Sequence, residues 1–256
     1  MDKISHMKSI FENKQNQLFD KICLENKVNI QELHTIAGVD LAYWKENDKE
    51  RACCCIVLLD FQSLSIIEKK YYVDEITVPY IPGCLAFREF ELVEKTVKLL
   101  EHNVDLYVFD GNGYLHPKHM GLATHAGIIL GKPSIGVAKS FYKFTDIEYT
   151  KPELKAFSYT DIVIDNEIYG RVLRTHENVK PIFLSIGNMI DLETATTIVE
   201  KLVTKESHIP VPTRYADIMT HEVRKNMLSS DYEDYANIAS KIRPIVTEAQ
   251  IVMRRW

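Results

Sequence analysis

Glycine and proline are scarce in this chain, 10 and 9 of 256 residues. No run rich in Gly, Pro or Ser interrupts it, so no flexible linker divides it. No stretch of 18 apolar residues occurs, which excludes a membrane-spanning helix. The first residues, MDKISHMKSIFENKQ, lack the apolar centre of a secretion signal. Cysteine is few and odd in number: Cys23, Cys53, Cys54, Cys55 and Cys84. With three of the five adjacent, they do not make a disulfide framework, and a reducing cytoplasm is the expected location. Internal repeats and low-complexity tracts are absent as well. The net charge of −5, from 31 basic and 36 acidic residues, does not advertise a nucleic-acid binder. Where the charges sit matters more than their sum.

What remains is an ordinary globular composition, 46% hydrophobic and 26% charged. Residues 1–28 carry Ile10, Phe11, Leu18, Phe19 and Ile22 at a spacing that suits an amphipathic helix packed on the domain. Strand-like runs follow at 34–43 (HTIAGVDLAY), 52–60 and 64–73. The three-residue gap between the last two predicts a hairpin and an antiparallel meander. Apolar residues Phe90, Val93, Val97 and Leu100 form the stripe of a helix over 85–100. A short strand at 106–109, a helix over 118–130 and a strand at 134–138 then alternate, which predicts parallel pairing through crossovers. Further strands are expected at 161–164, 169–173 and 182–186, then a helix at 192–203. Thr213 is the expected cap of a last helix reaching about residue 228. The fold class is therefore α/β, a mixed sheet flanked by helices in a single domain over 1–228. Residues 229–256 form an extension of unassigned role.

Four carboxylates stand out. Asp40 interrupts an apolar strand, where alternation puts it with Ala42 on one face and Val39 with Leu41 on the other. It is either an edge or lysine-paired position, or a site residue. Asp110 ends the strand 106–109 before Gly111-Asn112-Gly113, so it forms a turn or marks a strand-end site. Glu89 lies at the border of its helix stripe, where it is solvated or turned toward the sheet. Asp217 shares a helix face with Arg214, His221 and Arg224 at 3–4 spacing, a salt-bridge face or part of a site. Together they offer three Asp and one Glu from separate elements. Hard cations such as Mg²⁺ take oxygen ligands of this kind, and two-metal phosphodiester hydrolysis needs such a set.

From Gly111 to Lys143 there is not one Asp or Glu, while Lys118, Lys132, Lys139, Lys143, His116, His119 and His125 all fall there. The stretch reads as a local basic patch beside Asp110 or as a set of surface lysines. Lys139 follows a strand end, where it can meet a phosphate. The histidine spacing matches no common zinc pattern. Cys53, Cys54 and Cys55 alternate faces along a strand and cannot jointly hold one ion. The segment VPYIPGCL, 78–85, is stiffened by two prolines. It is either a packed connector or a rigid apolar wedge between bases.

These residues resemble a known family. AGVDLAY (37–43), PYIPGCLAFRE (79–89), DGNGYLHPKHMGLATHAG and PSIGVAKS within 110–140, and PVPTRYAD (210–217) look like endonuclease V, in order over about residues 34–225. The resemblance implies an RNase H-like fold. It implies cleavage of nucleic acid holding deaminated adenine (hypoxanthine, the base of inosine) with Mg²⁺, for which Mn²⁺ can substitute. The implied cut is the second phosphodiester bond 3′ to the lesion, leaving 3′-hydroxyl and 5′-phosphate ends. The family's acidic residues fall on Asp40, Glu89, Asp110 and Asp217, with Asp40 and Asp110 expected as metal ligands. Its strand wedge falls on 79–82, with Tyr80 central and Pro82 beside it. Its base pocket falls on Leu85 and on Gly111, Gly113 and Gly121. His116 and Lys139 match positions near the phosphate backbone. Cys84 departs from the pattern, in which a bulkier residue often stands there.

Backbone N–H groups at Gly111–Gly113 are expected to donate to the 6-oxo group of hypoxanthine, which adenine replaces with a donor of its own. The expected partner is inosine-containing DNA, in repair, with inosine-containing RNA as the alternative substrate. A catalytically silent inosine-binding module and a nuclease without lesion preference are the competing readings. The chain is expected to act as a monomer, away from membranes.

Overall fold

The computed structural model describes residues 3–144, 146 and 148–229. Among them the chain runs α1 (Lys3–Phe19), β1 (Thr35–Glu46), β2 (Lys49–Asp60), β3 (Ile66–Glu75), α2 (Leu85–Val97), β4 (Leu106–Asp110), α3 (Leu122–Leu130), β5 (Ser134–Ala138), β6 (Ser158–Ile164), β7 (Glu167–Arg174), β8 (Ile182–Asn188), α4 (Leu192–Leu202) and α5 (Val211–Leu228). The strands form one mixed sheet in the order β3-β2-β1-β4-β5-β8-β7-β6. The meander β1-β2-β3 is antiparallel, β1-β4-β5 is parallel, and β8, β7 and β6 continue antiparallel.

Alternation along the strands builds a core on each side. Ile56 and Leu58 of β2 and Tyr107 and Phe109 of β4 pack with α2 and α3. Val57, Leu59, Leu106 and Val108 pack with α4 and α5 on the opposite face. A strand covered on both faces needs apolar residues at every position, which is why β2 and β4 read as continuous hydrophobic runs. Cys54 joins the first of these cores, whereas Cys53 and Cys55 face α5 with Ala42 and Val223. All five cysteines are free. No described helix is long and apolar enough to cross a membrane.

Several expected boundaries move, each for a local reason. The helix expected over 1–28 ends at Phe19, because Cys23 N–H is drawn to Asn188 Oδ1 and Lys27 N–H to Met189 O at the end of β8. Its apolar stripe is only partly used: Phe11 and Leu18 are half-buried, with Phe11 stacked on Phe87, while Ile10 and Phe19 are exposed and the residue the helix buries is Gln15. α2 stops at Val97, where Leu99 and Leu100 N–H bond three residues back instead of four. α3 starts at Leu122 rather than 118, since His119 adopts a left-handed φ of 52° and Gly121 N–H goes to Gly113 O. Thr213 does not cap α5. It lies buried inside the first turn, with its hydroxyl donating to Pro210 O. The extension expected over 229–256 lies outside the described residues after Ser229.

Candidate active site

Register brings the first two carboxylates together. β1 and β4 pair in parallel with Val39 opposite Phe109. The next residue on each strand, Asp40 and Asp110, therefore shares a level and a face of the sheet. That face is crossed by α5. Gly38 makes the crossing possible, because a Cβ there would stand 2.0 Å from the Pro212 carbonyl carbon. With α5 so close, Asp217 on its second turn completes a group of three. One oxygen from each of Asp40, Asp110 and Asp217 lies within 4.8 Å of the other two.

Lys139, just past β5, reaches into this group. Its Nζ lies 2.6 Å from Asp110 Oδ2 and 3.4 Å from Asp217 Oδ1. Thr220, one turn beyond Asp217, donates to Asp40 Oδ2 at 3.2 Å. Glu89 stands outside the three. It projects from α2 on the other side of the sheet, is buried, and accepts from the Tyr43 hydroxyl at 2.5 Å. Arg88 lies over the Tyr43 ring at 4.8 Å and pairs with Glu50 at 2.6 Å.

The electrostatics follow from burial. Desolvation, then the charge of Asp110, pushes Asp40 up to about 7, with Lys139 opposing. Burial likewise raises Asp110, and its hydrogen bond from Lys139 holds it back. Burial disfavours the Lys139 ammonium, but Asp110, then Asp217 and Asp40, outweigh that and raise it. Glu89 is pushed up to about 7 by burial, partly offset by Tyr43, with Asp40 adding to the rise. A desolvated cluster of oxygen donors with too little positive charge is the environment a hard divalent cation relieves, so the residues fit Mg²⁺ or Mn²⁺.

Beside the carboxylates lies a cavity of about 360 Å³. Asp110 belongs to both, and Tyr80, Leu85, Gly111, His116, Gly121 and Lys139 line the cavity with Gly83, Ala86, Asn112, Met120, Leu122, Phe141 and Tyr142. Pro82 and Gly113 do not line it. Pro82 is exposed on the 78–84 loop. Gly113 is packed under the wall, where a Cβ would stand 2.1 Å from Ile186 O. Ile81 is buried and anchors the loop, leaving Tyr80 62% exposed at the cavity edge.

Two expectations are corrected. Gly111 N–H already donates to Val137 O at 3.1 Å and Gly113 N–H to Ser185 Oγ at 2.9 Å, so of the expected Gly111–Gly113 donors the N–H of Asn112, which lines the cavity, is the one left for a ligand. The cavity wall also includes Leu85 and Ala86 at the start of α2 and Leu122 at the start of α3. First-turn N–H groups of a helix have no partner four residues back; here Phe87 N–H bonds Cys84 O and Ala123 N–H bonds Asn112 O, which leaves those of Leu85, Ala86 and Leu122 toward the cavity. Second, the acid-free stretch is not a continuous basic patch. Burial pulls His116 and His125 down to about 4 and lowers His119, so these rings are uncharged at neutral pH. Lys118 bonds Asn16 and Lys132, past the far end of α3, bonds Asn103.

Sequence reasoning passed over Tyr43, Arg88, Tyr142 and Gln15. A signal existed for Tyr43, since alternation puts it on the face opposite Asp40, toward α2. No comparable signal marks Gln15 or Tyr142, whose neighbours are far away in the chain.

A family model described as Endonuclease V matches residues 16–218. An endonuclease V of Bacillus thuringiensis subsp. konkukian is 53% identical over 218 residues, covering 85% of this chain and 93% of the relative. The crystal structure of the Bacillus subtilis endonuclease V superposes with a TM-score of 0.83 at 45% identity, over 88% of this chain and 93% of that one. Ciona intestinalis endonuclease V, solved with a 24mer DNA containing an inosine followed by a ribo-adenosine, superposes with a TM-score of 0.78 at 26% identity, over 87% and 99%. The chain belongs to the endonuclease V family, nucleases that act on phosphodiester bonds.

Proposed function

We propose that this nuclease reads hypoxanthine in DNA and, with Mg²⁺ or Mn²⁺, hydrolyses the second phosphodiester bond on its 3′ side, leaving 3′-hydroxyl and 5′-phosphate ends. One observation carries the reading: Asp110 is both a member of the three-carboxylate group and part of the wall of a cavity with room for a base. A base seated in the cavity would leave its own strand running past the carboxylates. The inosine-containing DNA bound by the Ciona relative supports the choice of lesion.

Each residue then has a task. Asp40, Asp110 and Asp217 would hold the divalent cation, which when bound activates water and stabilises the leaving oxygen. Lys139 supplies a positive charge beside Asp110 where phosphate charge develops. Glu89, oriented by Tyr43, is suited to order water or to hold a proton near neutral pH. Tyr80, exposed on an anchored loop, would fill the gap left by a flipped base. The N–H groups of Leu85 and Ala86 at the start of α2 and of Leu122 at the start of α3 would donate to the 6-oxo oxygen. Adenine offers an amino donor there, leaving buried donors unpaired at about 1–3 kcal/mol.

Cleavage of matched DNA and RNA oligonucleotides, each with one inosine and with adenine controls, tests the proposal. A nick one nucleotide beyond inosine in DNA is the expected result. Cutting confined to inosine RNA would move the role to RNA turnover. Equal cutting of the adenine controls would indicate a nuclease without lesion preference. Absence of cutting with either metal would leave only a binding module.

A further inference from the structure

Gln15 is the residue that α1 buries, at 1% exposure, while apolar Ile10 and Phe19 of the same helix are exposed. Its Nε2 donates to Gly83 O at 2.8 Å across 68 residues of sequence. Its Oε1 is buried with no partner among the described residues. An apolar side chain of equal length would fill the same space without an unpaired acceptor. The amide thus carries one unpaired acceptor while supplying the donor to the Gly83 carbonyl, and its visible effect is on Gly83.

Gly83 is a pivotal peptide. It adopts φ of 79°, a conformation disfavoured for residues with a Cβ. The Tyr142 hydroxyl and His116 Nε2 lie close by, 3.9 and 4.0 Å from where a Cβ on Gly83 would stand. Three side chains from distant parts of the chain thus converge on one glycine in the cavity wall. Cys84, which caps α2, follows it, and then Leu85 and Ala86, which line the cavity. One turn from Gln15 on α1, Phe11 stacks on Phe87 of α2 with ring centroids 4.4 Å apart. Phe87 in turn meets the His125 ring of α3 at 5.0 Å. α1 is thereby held against the start of α2, which in turn packs on α3. Gln15 and Phe11 both precede residue 16, where the family match begins.

We infer that Gln15 is a positioning residue for base discrimination: by holding the Gly83 carbonyl it sets where the first N–H groups of α2 stand in the cavity. The inference rests on the proposed reading of that cavity as the seat of a deaminated base.

Gln15→Met keeps the length and removes the donor. Steady-state cleavage of inosine and adenine strands, with a thermal melt of each protein, tests the inference. The expected result is a KM for the inosine strand raised roughly three- to tenfold, the net worth of one hydrogen bond. The inosine-over-adenine preference falls by a similar factor, while kcat is kept and the melting temperature changes little, because loss of the unpaired Oε1 offsets loss of the donor to Gly83. Gln15→Leu, also apolar and of similar volume, should repeat the pattern. Unchanged KM and preference in both variants would overturn the inference. So would a lower melting temperature with reduced kcat and intact preference, which marks a merely structural role. Wild-type protein that shows no preference for inosine would instead overturn the reading of the cavity, and the inference with it.

Discussion

Replacing Asp40 by asparagine is expected to stabilise the metal-free protein and abolish cleavage. Asp40 sits mid-strand among buried residues, and its carboxyl is pushed from 3.8 up to about 7 by burial and by Asp110. Above pH 7 folding must keep a charge that the surroundings disfavour. A rise of that size corresponds to roughly 4 kcal/mol. Asparagine removes that penalty. Its carbonyl can keep the bond from Thr220, now 3.2 Å from Asp40 Oδ2, and its amide can donate to a neighbouring carboxylate. A gain of about 2–4 kcal/mol at pH 8 follows, roughly 5–15 °C in Tm for a chain of this size.

The sign with pH is fixed by linkage. Between the unfolded pKa near 3.8 and the folded value of about 7, the native state binds the extra proton. Wild-type stability therefore falls as pH rises through that window, and the penalty is complete above it. The advantage of Asp40→Asn should shrink by about 2–3 kcal/mol between pH 8 and pH 5. Urea unfolding with a chelator present, at both pH values, measures it. Divalent metal should stabilise wild type far more than the variant, because only a binding-competent native state gains from mass action. A variant less stable than wild type at pH 8, or an advantage independent of pH, would refute the account of a desolvated carboxylate awaiting a cation.

Other consequences follow from the geometry. Gly38→Ala places a Cβ 2.0 Å from Pro212, so α5 must move off β1; a loss of about 3 kcal/mol or more in unfolding experiments, together with lost cleavage, is expected. Tyr80→Ala removes an exposed ring, so Tm should change by the equivalent of less than about 0.5 kcal/mol while cutting of inosine in duplex falls more than in single strands. Tyr43→Phe deletes the hydrogen bond that favours ionised Glu89. The Glu89 pKa should rise above its present value of about 7, and the acidic limb of the pH–rate profile should move to higher pH; an unmoved limb would remove Glu89 from the rate-determining protonation.

Much of this protein is legible in its sequence. The meander, the parallel crossovers and the helix carrying Glu89 follow from apolar periods that reflect only neighbouring residues. Alternation alone placed Asp40 with Ala42 on one face and Val39 with Leu41 on the other, and both strands cooperate through that rule. Motifs such as PYIPGCLAFRE pointed to the family because long ordered matches are specific. The order of the sheet was not legible, since β8 inserts beside β5 through pairing between residues some 50 apart. The charge state of the histidines was hidden as well, because burial, not sequence, lowers their pKa values.

The division has a physical cause. Sequence by itself determined what depends on short range: strand faces, helix stripes, the stiffness of a proline loop, and which residue types could hold a cation. Tertiary structure decided what depends on approach between distant segments. It took Gly38 against Pro212 to bring Asp217 to Asp40 and Asp110, and α1 folding back to bring Gln15 to Gly83. It decided too that Gly111 and Gly113 give their N–H groups to the sheet, leaving the starts of two helices to face the cavity. Backbone donors are satisfied by whatever packs against them, and no local pattern records what that will be.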